Sequence, residues 1–103
     1  MNKYTELSDF EINKKVAEKL GAEWFVTTTV WDELVAMVGN KCFKPCNNPS
    51  DAMPIIIENE ISMIKSSGGW MCCHGSVGQV ERESLYRGAM EVFLMMREAE
   101  NES

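Results

Sequence analysis

The sequence predicts an α+β domain: an antiparallel sheet of about four strands, arranged as two hairpins. An N-terminal helix, a short middle helix and a long C-terminal helix pack on that sheet. Three observations carry this expectation. A capped apolar stripe opens the chain and a longer stripe closes it. Between them lie runs rich in β-branched and aromatic residues, broken by glycine-containing turns. The 103 residues are 45% apolar, enough for one packed core without staples, so residues 1–103 form a single domain.

The first helix is expected over residues 9–20. Ser8-Asp9-Phe10-Glu11 matches a capping box. Leu7 and Ile12 occupy the flanking staple positions, and Ile12, Val16 and Leu20 form an i, i+4, i+8 stripe. Gly21 is a natural stop. Glu23 to Trp31 has strand composition, with Trp24, Val26, Thr28 and Val30 expected on one face. Leu34 to Val38 reads as a second strand or as a helical turn, and a hairpin is favoured; Gly39-Asn40 marks a turn. Residues 43–54 form an ordered loop leading into a short helix through Ala52, Ile55, Ile56 and Ile57. Pro54 belongs in the first turn of that helix, which places the cap near Ser50 or Asp51. Ile61–Ser66 and Trp70–Gly75 read as a hairpin turning at Ser67-Gly68-Gly69. Val77–Arg82 reads as a connection. The last helix is expected from Ser84 to Glu98, with Leu85, Ala89, Val92, Phe93 and Met96 on one stripe. Arg87 and Glu91 pair on another face, and Asn101-Glu102-Ser103 fray.

Charge narrows the partners. Sixteen acidic residues against ten basic ones leave a net charge of -6. That sign opposes phosphate backbones, and no dense basic run overrides it, so direct nucleic-acid binding is not expected. The polar start Met1-Asn2-Lys3-Tyr4-Thr5-Glu6 is no secretory signal, and no run of about 18 apolar residues exists to span a membrane. A cytoplasmic protein follows as the expectation, with its four cysteines reduced. Its eight methionines suit core filling first and adaptable contact surfaces second.

Few residues could carry chemistry. Cys42-x-x-x-Cys46 with Cys72-Cys73-His74 is the only metal-like set, and zinc accepts four such ligands. The spacing is poor, and neighbouring Cys72 and Cys73 on a strand point to opposite faces. At most Cys42, Cys46, Cys72 and His74 could converge; buried or half-buried thiols are the favoured reading. A Cys72–His74 nucleophilic pair shares a face, but its side chains stand roughly 6–7 Å apart along an extended strand, beyond direct proton transfer. Cys73 with His74 fails on direction. Asp32-Glu33 and Glu58-x-Glu60 read as solvated charge at element ends. The glycine turns at Ser67-Gly68-Gly69 and Gly75-Ser76-Val77-Gly78 lack the lysine of a phosphate loop. Trp24, Trp31 and Trp70 have no basic groove around them that would suit base stacking. No catalytic residue and no cofactor are therefore expected.

Two stretches carry a family resemblance. The first is Leu7-Ser8-Asp9-Phe10-Glu11-Ile12-Asn13-Lys14-Lys15-Val16-Ala17. The second is Phe43-x-Pro45-Cys46-Asn47-x-x-x-Asp51-Ala52-x-Pro54-Ile55-Ile56, then Ile61-Ser62 and, further on, Arg87-x-Ala89-Met90-x-Val92-Phe93-Leu94-Met95-Met96. Together they resemble the NinX-like accessory proteins of tailed bacteriophages and prophages, over most of the chain. Gly88 departs from an alanine of the family's last helix, which weakens that helix slightly. The resemblance implies a phage or prophage origin and brings no catalytic residues with it. Asn47, Asp51 and Pro54 read as loop and cap chemistry.

The leading expectation is a non-enzymatic accessory protein that binds a host protein in the host cytoplasm. Basic grooves of nucleic-acid enzymes, CRISPR effector complexes or restriction systems would suit an acidic face, an anti-CRISPR or anti-restriction type of action. Candidate partner-binding carboxylates are Glu58, Glu60, Glu81, Glu83 and Glu91. The alternatives are a self-associating protein, a homodimer through Met and Trp side chains, and a small Cys/His zinc protein or enzyme.

Overall fold

The computed structural model describes residues 3–102, with the side chains of Asn101 and Glu102 excepted. Among the described residues the order is α1 (Asp9–Lys19), β1 (Trp24–Thr28), β2 (Leu34–Val38), β3 (Lys41–Cys42), α2 (Pro49–Glu58), β4 (Ser62–Ser66), β5 (Gly69–His74), β6 (Gly78–Arg82) and α3 (Leu85–Glu102). The fold is α+β with all three expected helices. The strands, however, are six rather than four, and they form two separate antiparallel sheets, β1-β2-β3 and β4-β5-β6.

α1 starts as its capping box dictates and buries Ile12 and Val16, but it ends at Lys19, and Leu20, expected on the same stripe, is an exposed C-cap. The Ser8 Oγ accepts from the Glu11 amide at 3.1 Å and Glu11 Oε1 accepts from the Ser8 amide at 3.0 Å. Gly21 takes the left-handed conformation that closes the helix, with φ +73°. α2 begins earlier than expected: the cap is Asn48, whose side chain accepts from the Ser50 amide, and Pro49 takes the first position. Pro54 therefore lies inside the helix instead of in its first turn. It removes only the bond that would reach Ser50, on the exposed side of the helix. Asp51 does not cap; its carboxylate accepts from the Lys44 amide at 2.9 Å and anchors the incoming loop.

The first strand ends at Thr28, and Val30 is not on its face. Thr29 opens a tight turn in which its Oγ1 accepts from the Trp31 and Glu33 amides and Asp32 sits at φ +60°. Val30 and Trp31 ride on that turn, 92% and 85% exposed. Gly39-Asn40 closes the β2–β3 turn. The segment expected to connect the second hairpin to the last helix is β6, which pairs with β5 from Trp70↔Arg82 to His74↔Gly78.

α3 is the centre of the molecule. It packs against α1, α2, β5 and β6. Of the expected stripe Ala89, Val92, Phe93 and Met96 are buried and Leu85 is half-buried, but Met90, Glu91 and Leu94 on the other sides are buried too. A single stripe understates a helix whose middle is covered on several sides, where even the charged Glu91 is enclosed by its arginine partners. β5 turns Cys72, in register with Met63 and Val80, toward this helix. The opposite face, with Ile64, Met71 and Glu81, looks outward. The β1-β2-β3 sheet meets α1 through β1 and β2. α3 runs on to Glu102, past the expected end at Glu98, so Asn101 and Glu102 continue the helix where fraying was expected, and Ser103 lies outside the described residues. Among the described residues no helix is long and apolar enough to cross a membrane.

Candidate functional groove along the sixth strand

β6 is an edge strand, and shallow hollows flank it. One, of about 500 Å3, is lined by Thr5, Val77, Gln79, Glu81, Arg82 and Met95. The other, of about 220 Å3, is lined by Ser66, Gly68, Gly69, Glu81, Arg82 and Glu83. Glu81 and Arg82 border both, which makes one groove along the strand. The β4–β5 turn comes close here: a Cβ on Gly69 would stand 2.4 Å from the Arg82 carbonyl oxygen, so only glycine fits.

The charge of Arg82 is committed inward. Its guanidinium donates to both Glu91 oxygens, at 2.9 and 2.8 Å, and to the Thr5 hydroxyl at 2.8 Å. Arg87 donates to the same Glu91 carboxylate at 2.8 Å, to Asp9 at 2.8 Å and to the Tyr4 carbonyl at 2.8 Å. Two guanidinium groups thus face two carboxylates, Glu91 and Asp9, and the set is neutral. Asp9 also accepts from the Asn47 side-chain Nδ2 at 3.3 Å. Burial opposes the Arg87 charge, but the hydrogen bonds to Asp9 and Glu91 outweigh it and raise its pKa. With Arg82 neutralised, Glu81 and Glu83 are the exposed charges that mark the groove as acidic.

The sequence-predicted acidic residues divide among three places. Glu81 and Glu83 stand together at the groove. Glu58 and Glu60 are exposed at the end of α2, by the opposite end of the β4-β5-β6 sheet, where His74 pairs with Gly78. Glu91 is fully buried between Arg82 and Arg87, so it presents no carboxylate to a partner. Its pairing with Arg87 is an internal ion-pair network and not the weak surface contact that spacing alone suggests. Arg82 and Asp9 are not legible as members: Arg82 reaches Glu91 from a different element and Thr5 from 77 positions away, and Asp9 meets Arg87 across 78 positions.

The cysteines and His74 are dispersed. Cys42 is exposed on β3, whereas Cys72 and His74 are on β5 in the other sheet. Cys46 is buried where its amide donates to Asn13 Oδ1 at 3.0 Å, with its thiol toward the Asp9 carbonyl. Among the described residues no three His, Cys, Asp or Glu side chains converge on a metal-sized site, so the set Cys42, Cys46, Cys72 and His74 is not assembled. Burial pushes the Cys46 thiol up to about 12 and the Cys72 thiol up to about 11, which keeps both protonated and poorly nucleophilic. Cys72 Sγ lies 3.5 Å from the Leu85 carbonyl, beneath α3. His74 Nδ1 is held by Ser76, at 2.8 Å from its hydroxyl and 3.1 Å from its amide. Cys73 lies on the other face of β5 from Cys72, half-buried, as strand alternation requires.

No curated protein and no solved structure matches the chain. A family model does: the one described as Bacteriophage P22, NinX, matches residues 3–97. That stretch includes the capped first helix, the Asn48-capped second helix, both sheets and most of α3. The chain belongs to the NinX family of bacteriophage proteins.

Proposed function

We propose that this phage accessory protein is a non-enzymatic binding protein that engages a basic segment of a host protein along the β6 groove. The observation that supports it is the charge pattern. Glu81 and Glu83 flank the groove while the only arginine in its wall is neutralised from within. Long-range attraction toward basic surfaces follows from the net charge of -6. A groove of this size accepts an extended segment carrying Lys or Arg, and β6 offers an open strand edge for it. Basic surfaces of that kind are common on host nucleic-acid enzymes, including CRISPR effectors and restriction systems, so inhibition of a defence or nucleic-acid system is the biological role the proposal favours.

The test is affinity capture from lysate of phage-sensitive cells, run with the wild type and with the Glu81→Lys/Glu83→Lys double variant. The wild type should recover a stoichiometric partner with a basic surface, and capture should weaken as salt rises. The double variant should fold, because both side chains are exposed, and lose the partner. Failure of the wild type to recover any stoichiometric partner, or equal capture by both proteins, would overturn the proposal.

A further inference from the structure

The large apolar side chains left exposed among the described residues are concentrated in one place. Leu20, Phe25, Val26, Val30, Trp31 and Leu34 all lie on the β1–β2 hairpin or at its entrance, and only Ile57 and Ile64 lie elsewhere. β1 is the edge of its sheet. Its five residues, Trp-Phe-Val-Thr-Thr, include no charge, no proline and no bulge, the devices that normally blunt an edge.

The register shows which backbone groups are free. The Thr29 amide donates to Glu33 across the hairpin, so Thr29, Thr27 and Phe25 direct their polar groups toward β2. The Ala36 carbonyl, opposite Val26, accepts instead from Phe43 on the β3 side, which agrees with this alternation. Trp24, Val26 and Thr28 therefore direct N–H and C=O outward, along the open edge.

We infer that two copies of this chain pair antiparallel through β1, about a two-fold axis at Val26, into a continuous six-stranded sheet. The edge is self-complementary in this register. Val26 meets Val26 of the second copy, and Trp24 meets Thr28, so every outward-facing residue meets another outward-facing residue. Phe25 falls opposite Thr27 in the non-bonded positions. Glu23 falls opposite Thr29, so no carboxylate faces its own counterpart. The turn carrying Val30 and Trp31 comes alongside the Leu20–Ala22 corner of the other copy, where Leu20 is itself exposed. An aromatic side chain buries about 150–250 Å2, and Trp31 and Phe25 are 85% and 52% exposed. With the aliphatic neighbours, the pair would withdraw roughly 1,000 Å2 from water, the size at which specific interfaces begin.

Light scattering after gel filtration tests the inference. The wild type should run at twice the 11.7 kDa chain mass. Val26→Pro removes an outward N–H that β2 does not use, so it should yield a monomer with unchanged circular dichroism. Val26→Lys places like charges together at the axis and should do the same without altering the backbone. In a Cys42→Ser background, Val26→Cys should oxidise to a covalent dimer, because directly bonded strand pairs stand about 5.5 Å apart at Cα, within disulfide reach. A wild type at single-chain mass up to its solubility limit overturns the inference, including the case in which β1 pairs with a strand of a different protein. Dimers that persist in both folded Val26 variants overturn it as well.

Discussion

Cys46 and Cys72 show what a single buried group determines. Both thiols are stripped of water, Cys46 beneath α1 and α2 and Cys72 beneath α3, and desolvation raises both pKa values, to about 12 and about 11. Alkylation with iodoacetamide at pH 8 should therefore label exposed Cys42 first and half-buried Cys73 more slowly. Cys46 and Cys72 should react only once denaturant is added, and mass spectrometry of digests reads the order. Glu11 is a second case. Its carboxylate is held by the Ser8 amide, then by the Ser8 hydroxyl, which lowers its pKa below 4.5. Glu98 is lowered likewise by Lys3 and Tyr4. A depressed folded pKa contributes stability above the unfolded value, and that contribution is lost as pH falls through the folded value. Urea denaturation should show stability declining below pH 4.5. Glu11→Gln should flatten part of that acid limb while leaving the rest of the curve in place.

At the scale of the element, the end of α2 departs from the usual rule. The Glu60 amide donates to the Ile57 carbonyl and the Ile61 amide to the Ile56 carbonyl, the bonding pattern of a Schellman motif. Buried Ile61 packs with the core behind it. The left-handed position, usually glycine, is held by Glu60 at φ +55°. Glu60→Gly should relieve that strain and raise stability by about 0.5–1 kcal/mol, net of the added freedom of the unfolded chain. Chemical denaturation checks it. The same rule explains which turns were visible in the sequence. Gly39-Asn40 and Ser67-Gly68-Gly69 announce themselves by glycine. The Thr29–Glu33 turn relies on a threonine hydroxyl and a left-handed aspartate, a weaker signal, so the expected strand runs three residues past the observed end at Thr28. β6 was missed as a strand because Gly78-Gln79-Val80-Glu81-Arg82 has one buried apolar residue, Val80, and owes its strand to pairing with β5.

Over the whole molecule, the Arg82–Glu91–Arg87–Asp9 network ties β6, α3 and α1 together. Every buried side-chain nitrogen and oxygen among the described residues has a partner. Removing the central carboxylate would leave two guanidinium groups facing each other. Glu91→Ala should cost about 3–5 kcal/mol, the range for breaking one side of a buried ion pair. Arg82→Met/Glu91→Leu/Arg87→Met should cost far less, because no fully buried charge is left unpaired; Asp9, which loses Arg87, has a side chain 45% exposed and stays hydrated. Thermal melts of the two variants separate them. At this scale too, the groove along β6 and the exposed β1 edge lie on different sheets, so occupation of one does not consume the other.

The sequence by itself determined what local chemistry can carry. Ser8 and Glu11 specify the start of α1, Gly21 specifies its end, and apolar periodicity places α3. The opposite orientation of Cys72 and Cys73 follows from strand alternation alone, and the family from motifs in the first helix, the Phe43–Ile56 stretch and the last helix. Only the tertiary structure decided the rest. It split the strands into two sheets, because the second packs on α3 through β5 and β6 while the first packs on α1 through β1 and β2. It drew Glu91 out of the candidate acidic surface, because Arg82 approaches it from another element. It left Glu81 and Glu83 at the groove and the β1 edge uncovered. Those outcomes depend on which elements meet, and contacts between residues far apart in the chain leave no periodic trace within either segment.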